Sequence, residues 1–198
     1  MIKTNTRGRP RSFDARTALR SAMRVFWANG FNATSYDALE RATALRRQSL
    51  IYAFGDKRSM FCSALDLYAQ DRIAEVISML ETPGSPLDNV RAVFASWLRD
   101  AQNPAHRGCL IVNTAGEFGR SDPVVADAIA HATDRLRAAF GRAFERAIEA
   151  GELGPDHDPH ALAELAIVAG DGALLHARVS ARSDHAARAI GAFLKLLR

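Results

Sequence analysis

The spacing of apolar residues constrains the fold of this chain most strongly. From residue 13 onward, apolar side chains recur every three or four positions, and clusters of Val, Ile and Thr are sparse. In the first such stretch, Ala15, Leu19, Ala22 and Phe26 lie four, three and four residues apart. This period is that of an amphipathic α-helix, whereas a half-buried strand alternates every two residues. The sequence therefore predicts an all-α protein.

Glycine, proline and capping residues divide the chain into about nine helices. Gly and Pro interrupt the periodic stretches, and Ser, Thr and Asp stand where helices can begin. We expect Ser12 and Ser59 to cap the first and fourth helices and Gly30 to end the first. The predicted helices span residues 13–29, 36–42, 46–53, 60–80, 87–102, 109–118, 123–150, 160–179 and 184–197.

Charge is distributed unevenly along the chain. Residues 1–57 contain eleven Lys and Arg against four Asp and Glu, and residues 58–198 contain fifteen against eighteen. This distribution is typical of a nucleic-acid-binding module joined to a domain with another role. A membrane-surface helix is the competing interpretation, but it requires a basic face opposite a broad apolar face on one helix. Here the basic residues are spread over an N-terminal arm and two helices, which favours nucleic acid.

Several classes of protein are disfavoured by what the sequence lacks. No run of 18 apolar residues occurs, and no apolar segment follows the basic N-terminus, so we expect a cytoplasmic protein. Cys62 and Cys109 form no C-x-x-C pair, and the six His residues are dispersed. Phosphate-loop, nucleophile-elbow and zinc-protease motifs are also missing. We therefore predict a protein that is not an enzyme and needs neither cofactor nor metal.

Residues 34–54 have the pattern of a helix-turn-helix. A short helix, a break at residues 43–45 and a second short helix match the geometry of that DNA-binding motif. The residues expected to pack these helices against the first helix are Leu39, Ala42, Leu45, Leu50 and Phe54. For this window alone, a solvated polar helix explains the pattern about as well.

The second short helix carries side chains that suit DNA. Arg can pair with guanine and Gln with adenine in the major groove, and hydroxyl and basic groups can contact phosphates. The candidates for base contacts are Arg46, Arg47, Gln48, Ser49 and Tyr52, and those for phosphate contacts are Thr34, Ser35, Tyr52 and Lys57.

The segment Arg7-Gly8-Arg9-Pro10-Arg11 resembles the core of an AT-hook. Arginines on an extended Gly and Pro backbone suit the narrow minor groove of A·T-rich DNA. We expect residues 1–12 to form a flexible basic arm in which Arg7, Arg9 and Arg11 contact DNA. A solvated tail without such a role is the alternative.

Residues 13–65 resemble the N-terminal DNA-binding domain of the TetR/AcrR family of transcriptional regulators. The matching residues are Leu19, Ala22, Phe26, Gly30, Phe31, Ala33, Thr34, Ser35, Leu39, Ala42, Ser49, Leu50, Tyr52, Phe54, Gly55, Asp56, Lys57 and Phe61. The resemblance implies a homodimeric regulator, most often a repressor, which binds a pseudo-palindromic operator and responds to a ligand. It implies a three-helix DNA-binding domain, here residues 13–58, and a helical ligand-binding and dimerisation domain, here residues 59–198.

Two positions depart from the family pattern. Ala44 stands where the family usually has a glycine in the turn, at a cost of about 1 kcal/mol if the backbone there has positive φ. Arg46 stands where the family often has a capping Ser, so the second short helix is expected to have a weaker cap. Neither departure removes DNA binding, and the operator sequence cannot be inferred.

The resemblance also implies a dimer interface on the last two helices. Leu162, Leu165, Ala166, Ala169, Ala173 and Leu174 form an apolar stripe there. Gly170 and Gly172 flank Asp171 and are expected to let a partner backbone approach closely. The same stripe is also compatible with packing inside one chain.

Residues 108–117, which begin Gly-Cys-Leu, resemble a motif of one branch of the family that includes regulators responding to electrophiles or metals. Cys109 is predicted at a helix start just after Arg107, and both features would lower the pKa of its thiol. We therefore consider Cys109 an oxidant or electrophile sensor. A buried cysteine that acts as a small apolar side chain is the favoured alternative.

Aromatic and polar residues of the C-terminal domain are candidates for a ligand pocket. They are Phe94, Trp97, Cys109, Asn113, Glu117, Phe118 and Phe140. At helical spacing such residues more often form plain core. The sequence names no ligand, and a helical module that binds a partner or polyanion without ligand response is the alternative function.

Overall fold

The computed structural model describes residues 13–103, 107–179 and 184–197, and all regular structure in these ranges is helical. The helices are α1 (Ala15–Asn29), α2 (Tyr36–Thr43), α3 (Arg47–Phe54), α4 (Lys57–Tyr68), α5 (Ala74–Leu80), α6 (Pro86–Gln102), α7 (Leu110–Phe118), α8 (Pro123–Glu149), α9 (Pro159–Val179) and α10 (Asp184–Leu196). The all-α prediction is confirmed. Each predicted helix has a counterpart whose bounds differ by a few residues.

Two predicted helix caps are wrong. Asp14, not Ser12, caps α1, because its carboxylate accepts a hydrogen bond from the N–H of Arg16 at 3.0 Å. Asp56, not Ser59, caps α4, and it accepts the N–H of Ser59 at 2.8 Å. A carboxylate is favoured at these ends because it satisfies a free N–H and its charge matches the helix dipole.

The predicted helix 60–80 is interrupted by one π-helical turn. The segment Ala69–Ile73 connects α4 to α5 without a break in the chain direction. Such a turn rotates the side chains that follow it relative to an uninterrupted α-helix. Asp71 in this turn pairs with Arg16 and Arg20 of α1 at 3.2 and 2.6 Å.

Helices α1 to α4 share one apolar core with side chains from later helices. Phe26 and Phe61 meet edge to face at 5.0 Å between ring centroids, and Leu39 and Leu50 are fully buried. Ala42 is exposed, so its predicted place in this core is wrong. Side chains of α7 and α8 join the same cluster. The predicted domain boundary at residue 58 stays a prediction.

A second core lies between α6, α8, α9 and α10. Phe94, Phe140 and Phe144 are fully buried in it, and Phe193 of α10 lies 5.0 Å from Phe94 between ring centroids. These contacts hold the C-terminal helices as one packed layer around α8.

The predicted dimer stripe is mostly part of this internal core. Ala166, Ala173 and Leu174 are buried within the chain. A Cβ at Gly170 would collide with the indole ring of Trp97, so this glycine admits a neighbouring side chain of the same chain rather than a partner backbone. Gly172, by contrast, has open space beside its Cα.

Other apolar side chains of the last two helices face outward. Val168 and Val179 are 66% and 78% exposed on α9, and Leu196 is 65% exposed on α10. Within the described ranges, no helix is both long enough and apolar enough to cross a membrane.

Candidate nucleic-acid interface and ligand cavity

The turn between α2 and α3 has the backbone that the sequence pattern requires. Ser35 caps α2 through its hydroxyl, and Ala44 ends this helix in the left-handed region with φ 56°. Arg46 precedes α3 without a side-chain cap, as predicted. Glu40 of α2 supplies the missing acceptor, since its carboxylate accepts the N–H of Arg47 at 2.6 Å. Sequence reasoning missed this bond because it joins residues seven positions apart across the turn.

The predicted base-reading residues lie together on α3. Arg46, Arg47 and Gln48 are exposed, and Tyr52 is 94% exposed. Ser49 is half-buried. A helix in a globular domain rarely leaves a tyrosine this free of contacts, so this face is available for a partner.

Arg47 and Tyr36 form one edge of this surface. The guanidinium lies 4.3 Å from the centre of the Tyr36 ring, at the start of α2. This cation–π contact orders a long basic side chain and leaves its outer hydrogen-bond donors free.

The predicted phosphate contacts are only partly available. Thr34 is 1% exposed, and its hydroxyl donates to the carbonyl of Gly30 at 2.6 Å, so its side chain is not a phosphate contact. Lys57 is half-buried and donates to the carbonyl of Thr34 at 2.8 Å. Ser35 is exposed at the N-terminus of α2, where free N–H groups favour an anion. Arg7, Arg9 and Arg11 lie outside the described residues.

A cavity of about 420 Å³ lies between the N-terminal bundle, which consists of α1 to α4, and the helices that follow it. Its apolar wall includes Trp27 of α1, Tyr68 of α4, Ile111 of α7, Leu136 of α8 and Ile167 of α9. Its size is that of small-molecule binding sites. Because α1 supplies part of the wall, an occupant would touch the bundle of α1 to α4 directly.

Two of the predicted ligand residues line this cavity. Trp97 and Cys109 are in its wall, whereas Phe94 and Phe140 are fully buried core residues. Phe118 packs between Phe31 and Phe61 at 5.2 and 5.6 Å between centroids, away from the cavity. The placement of Phe94, Phe118 and Phe140 in a ligand pocket is therefore wrong.

Asn113 also lies outside this cavity. Its amide donates to the carbonyl of Arg107 at 2.8 Å, and its side-chain oxygen is buried without a hydrogen-bond partner within the described ranges. With Glu117 it lines a smaller pocket of about 220 Å³ behind α1. Its role there is to hold the segment that precedes α7.

Glu117 joins α7 to the N-terminal bundle. Its carboxylate accepts the N–H groups of Phe31 and Asn32 at 2.8 and 2.7 Å. These N–H groups lie in the turn that follows α1, where backbone donors have no helical carbonyl to pair with and need another acceptor. Arg58 of α4 pairs with Asp122 at the start of α8 at 2.5 Å, and this ion pair lowers the pKa of Asp122 to about 2.

The expected low pKa of Cys109 is wrong. Burial raises the pKa of this thiol above its ordinary value, and the hydroxyl of Tyr68 donates to the sulfur at 3.5 Å. Arg107 is exposed, and its guanidinium donates to the carbonyl of Arg24 at 3.0 Å. Although Cys109 does precede α7, desolvation outweighs the helix end. The raised pKa favours the neutral thiol, which is the less reactive form toward oxidants.

Sequence reasoning missed the charged residues of the cavity. Arg72 comes from the π-helical turn and pairs with Asp100 of α6 at 2.6 Å and Glu75 at 3.0 Å. Asp171 lies in the wall on α9, one turn from Ile167 and Leu174, and burial raises its pKa to about 6. A carboxyl between two glycines in an apolar helix was the available signal for Asp171.

Comparison with known proteins places both halves of the chain. Residues 18–64 match the family model for bacterial regulatory proteins of the tetR family, and residues 86–193 match the tetracyclin repressor-like C-terminal domain. An uncharacterised HTH-type transcriptional regulator, YezE of Bacillus subtilis, is 35% identical over 79% of this chain and 81% of its own length. The HTH-type transcriptional repressor ComR of Escherichia coli is 27% identical over 96% and 92%.

A solved structure shares the whole architecture. The TetR-family regulator CifR, a cysteine mutant bound to 26-bp double-stranded operator DNA, superposes with a TM-score of 0.84. It is 28% identical, and the match covers 95% of this chain and 98% of CifR.

Proposed function

Because the chain belongs to the TetR family of transcriptional regulators, we propose that it is a repressor that leaves its operator when a small molecule fills the cavity. Proteins of this family are DNA-binding homodimers and not enzymes. The observation that carries the proposal is the position of α1, which is packed in the DNA-binding bundle and also lines the cavity through Arg24 and Trp27.

The operator contacts are assigned to the exposed side of α2 and α3. Arg46, Arg47 and Gln48 have free donors for base edges or phosphates, and Tyr52 and Ser35 are exposed beside them. Lys57 contributes indirectly, because its ammonium donates to the carbonyl of Thr34 and holds the backbone that leads into α2. An operator-bound relative of 28% identity with the same architecture supports this assignment.

The partner surface is assigned to the outward sides of α9 and α10. Exposed Val168 and Leu175 lie on α9, and a shallow groove between the two helices is lined by Gly172 and Ala189. Exposed apolar side chains of this kind are stabilised when a second copy covers them. The interface would thus use these residues and the exposed Leu165, in place of the buried members of the stripe expected from the sequence.

Release requires the cavity to act on the spacing of the two recognition helices. Three helices run from the cavity to the DNA-binding bundle: α1, α4 through Tyr68, and α7 through Glu117. A ligand that fits better when these helices shift would favour the dimer whose recognition helices no longer match successive major grooves. In this mechanism the helices around the cavity and the bundle of α1 to α4 each move as a packed unit.

The experiment is binding of the purified protein to DNA upstream of its own gene and to an unrelated fragment across a salt series. A repressor of this kind should prefer the upstream DNA by about 10³-fold or more and protect two symmetric half-sites. Weak binding to both fragments with equal, steep salt dependence would contradict the proposal. That result would favour the alternative, a module that binds polyanions without reading sequence.

A further inference from the structure

Asp171 of α9 carries a half-buried carboxyl group. Across the residues that the structure describes, no group ion-pairs or hydrogen-bonds with it. It lies in the cavity wall, and burial is the sole cause of its raised pKa of about 6, so no neighbouring guanidinium compensates its charge. Asp171 is half-buried, and a carboxylate partly withdrawn from water without a partner is destabilised, so a ligand that supplies a partner would gain binding free energy there.

The arginines of the cavity are engaged or lie in solvent. Arg72 is paired with Asp100 and Glu75, which balance its charge. Arg107 donates to the carbonyl of Arg24, and both side chains are exposed. Arg24 and Arg107 line the cavity as exposed side chains and Arg72 and Asp100 neutralise each other, so within the described ranges Asp171 is the half-buried charged group of the wall without an ion pair.

The wall around this carboxyl suits an apolar ligand with a cationic end. Trp27 and Tyr68 meet edge to face at 5.2 Å between centroids, and Trp97 lies in the same wall. Aromatic faces attract cations, and apolar side chains such as Leu174 and Ile167 would cover a hydrocarbon body.

We propose that the cavity binds a compact, mainly apolar amine whose protonated nitrogen pairs with the Asp171 carboxylate beside the aromatic wall. This inference rests on the proposed function, because it names the chemical class of the molecule that fills the same cavity. The cavity of about 420 Å³ limits the ligand to a small body such as one ring with a short chain.

Ligand binding can be followed directly through the protein's tryptophans. The chain has two, Trp27 and Trp97, and both line the cavity. The probes are 4-phenylbutylamine, 4-phenylbutan-1-ol and 4-phenylbutyrate, which share one hydrocarbon body and differ in the terminal group. At pH 7.5 the amine should bind at least about tenfold more tightly than the alcohol and the carboxylate.

The Asp171→Asn variant isolates the carboxylate. It should weaken amine binding at least about tenfold and leave alcohol binding within about threefold. Asp127→Asn makes the same change at an exposed site on α8 and should alter neither affinity. Equal binding of amine and alcohol, tighter binding of the carboxylate, no fluorescence response to the amine, or an unchanged amine preference in Asp171→Asn would overturn the assignment.

Operator affinity, measured separately with each probe, keeps this inference distinct from the proposed function. If the amine binds through Asp171 and the operator complex is unaffected, the ligand assignment stands and release by cavity filling fails. If the alcohol binds as tightly as the amine and releases the operator, release stands and the amine assignment fails.

Discussion

Asp171 makes the stability of the fold depend on pH. Its pKa rises from 3.8 in the unfolded reference to about 6 in the folded chain because of burial. The folded state therefore holds the proton of Asp171 more tightly than the unfolded state does. Protonation of Asp171 stabilises the fold fully below about pH 4, and this stabilisation is lost as pH rises through 6. Two pKa units correspond to at most about 3 kcal/mol.

The Asp171→Asn variant should be free of this loss. We expect it to unfold with nearly the same free energy as the parent at pH 4, and with up to about 3 kcal/mol more at pH 8. Urea unfolding of both proteins at equal concentration measures the difference in unfolding free energy. Four other carboxyls contribute in the opposite direction because their pKa values are lowered, and their contribution is the same in both proteins and cancels. They are Asp14, Asp56, Asp71 and Asp122. A difference that does not change with pH would contradict the burial of this carboxyl.

Gln48 and Arg46 should affect operator binding in different ways. Gln48→Ala removes an uncharged base contact, so it should cost about 1–3 kcal/mol on the operator and leave the salt dependence unchanged. Arg46→Ala removes a charge and should reduce the salt slope by about one. Binding to the operator and to an unrelated fragment at several salt concentrations separates the two effects. Equal losses on both DNAs for Gln48→Ala would show that Gln48 does not read bases.

Among the elements, the turn after α2 carries a strain that can be removed. Ala44 is exposed with φ 56°, where glycine is favoured, so Ala44→Gly should stabilise the protein by about 1 kcal/mol. Ala42→Gly, two residues earlier and inside α2, is the matched control and should destabilise by about 1 kcal/mol. Chemical unfolding measures both changes. The same sign for both variants would mean that Ala44 is not strained.

Helix α7 connects the cavity to the DNA-binding bundle in this account. Glu117→Gln keeps one acceptor oxygen but replaces the other by an amide that cannot accept the second N–H of the α1–α2 turn. We expect a loss of about 1 kcal/mol in stability and a weaker effect of ligand on operator affinity, with ligand affinity retained. Thermal unfolding and operator titrations with ligand measure these effects. The control is Glu149→Gln, the same change at an exposed site on α8. If both variants showed the same stability and the same effect of ligand on operator affinity, Glu117 would have no part in the coupling.

Helix positions were largely predictable because they depend on local signals. Gly30 ends α1 as predicted, and the hydroxyl of Ser35 caps α2; such signals lie within a few residues of the helix end. The cavity was less predictable because its wall combines residues from distant elements. Trp97 and Asp171 line the same space from α6 and α9, and the apolar spacing of residues 60–80 does not mark the π-helical turn that presents Arg72. The misplaced Phe94 and Phe140 have the same helical spacing as wall residues, but they face the other core.

The proposed repressor is a dimer that forms through α9 and α10. Val168 is 66% exposed on α9, so Val168→Asp would place a charge in the interface and should give monomers that bind the operator at least about tenfold more weakly. Val124→Asp makes the same change at a 51% exposed site at the start of α8 and should remain dimeric. Sedimentation measures the oligomeric state. A dimeric Val168→Asp protein would place the interface elsewhere.

In the proposed mechanism the cavity and the operator surface are coupled, and coupled sites must change each other's affinity by the same factor. The direct measurement is the affinity of the tightest-binding probe, followed by Trp27 and Trp97 fluorescence, for the free dimer and for the dimer saturated with operator. We expect the operator to weaken probe binding at least about tenfold, and the probe to weaken operator binding by the same factor. Equal probe affinity with and without operator would contradict it.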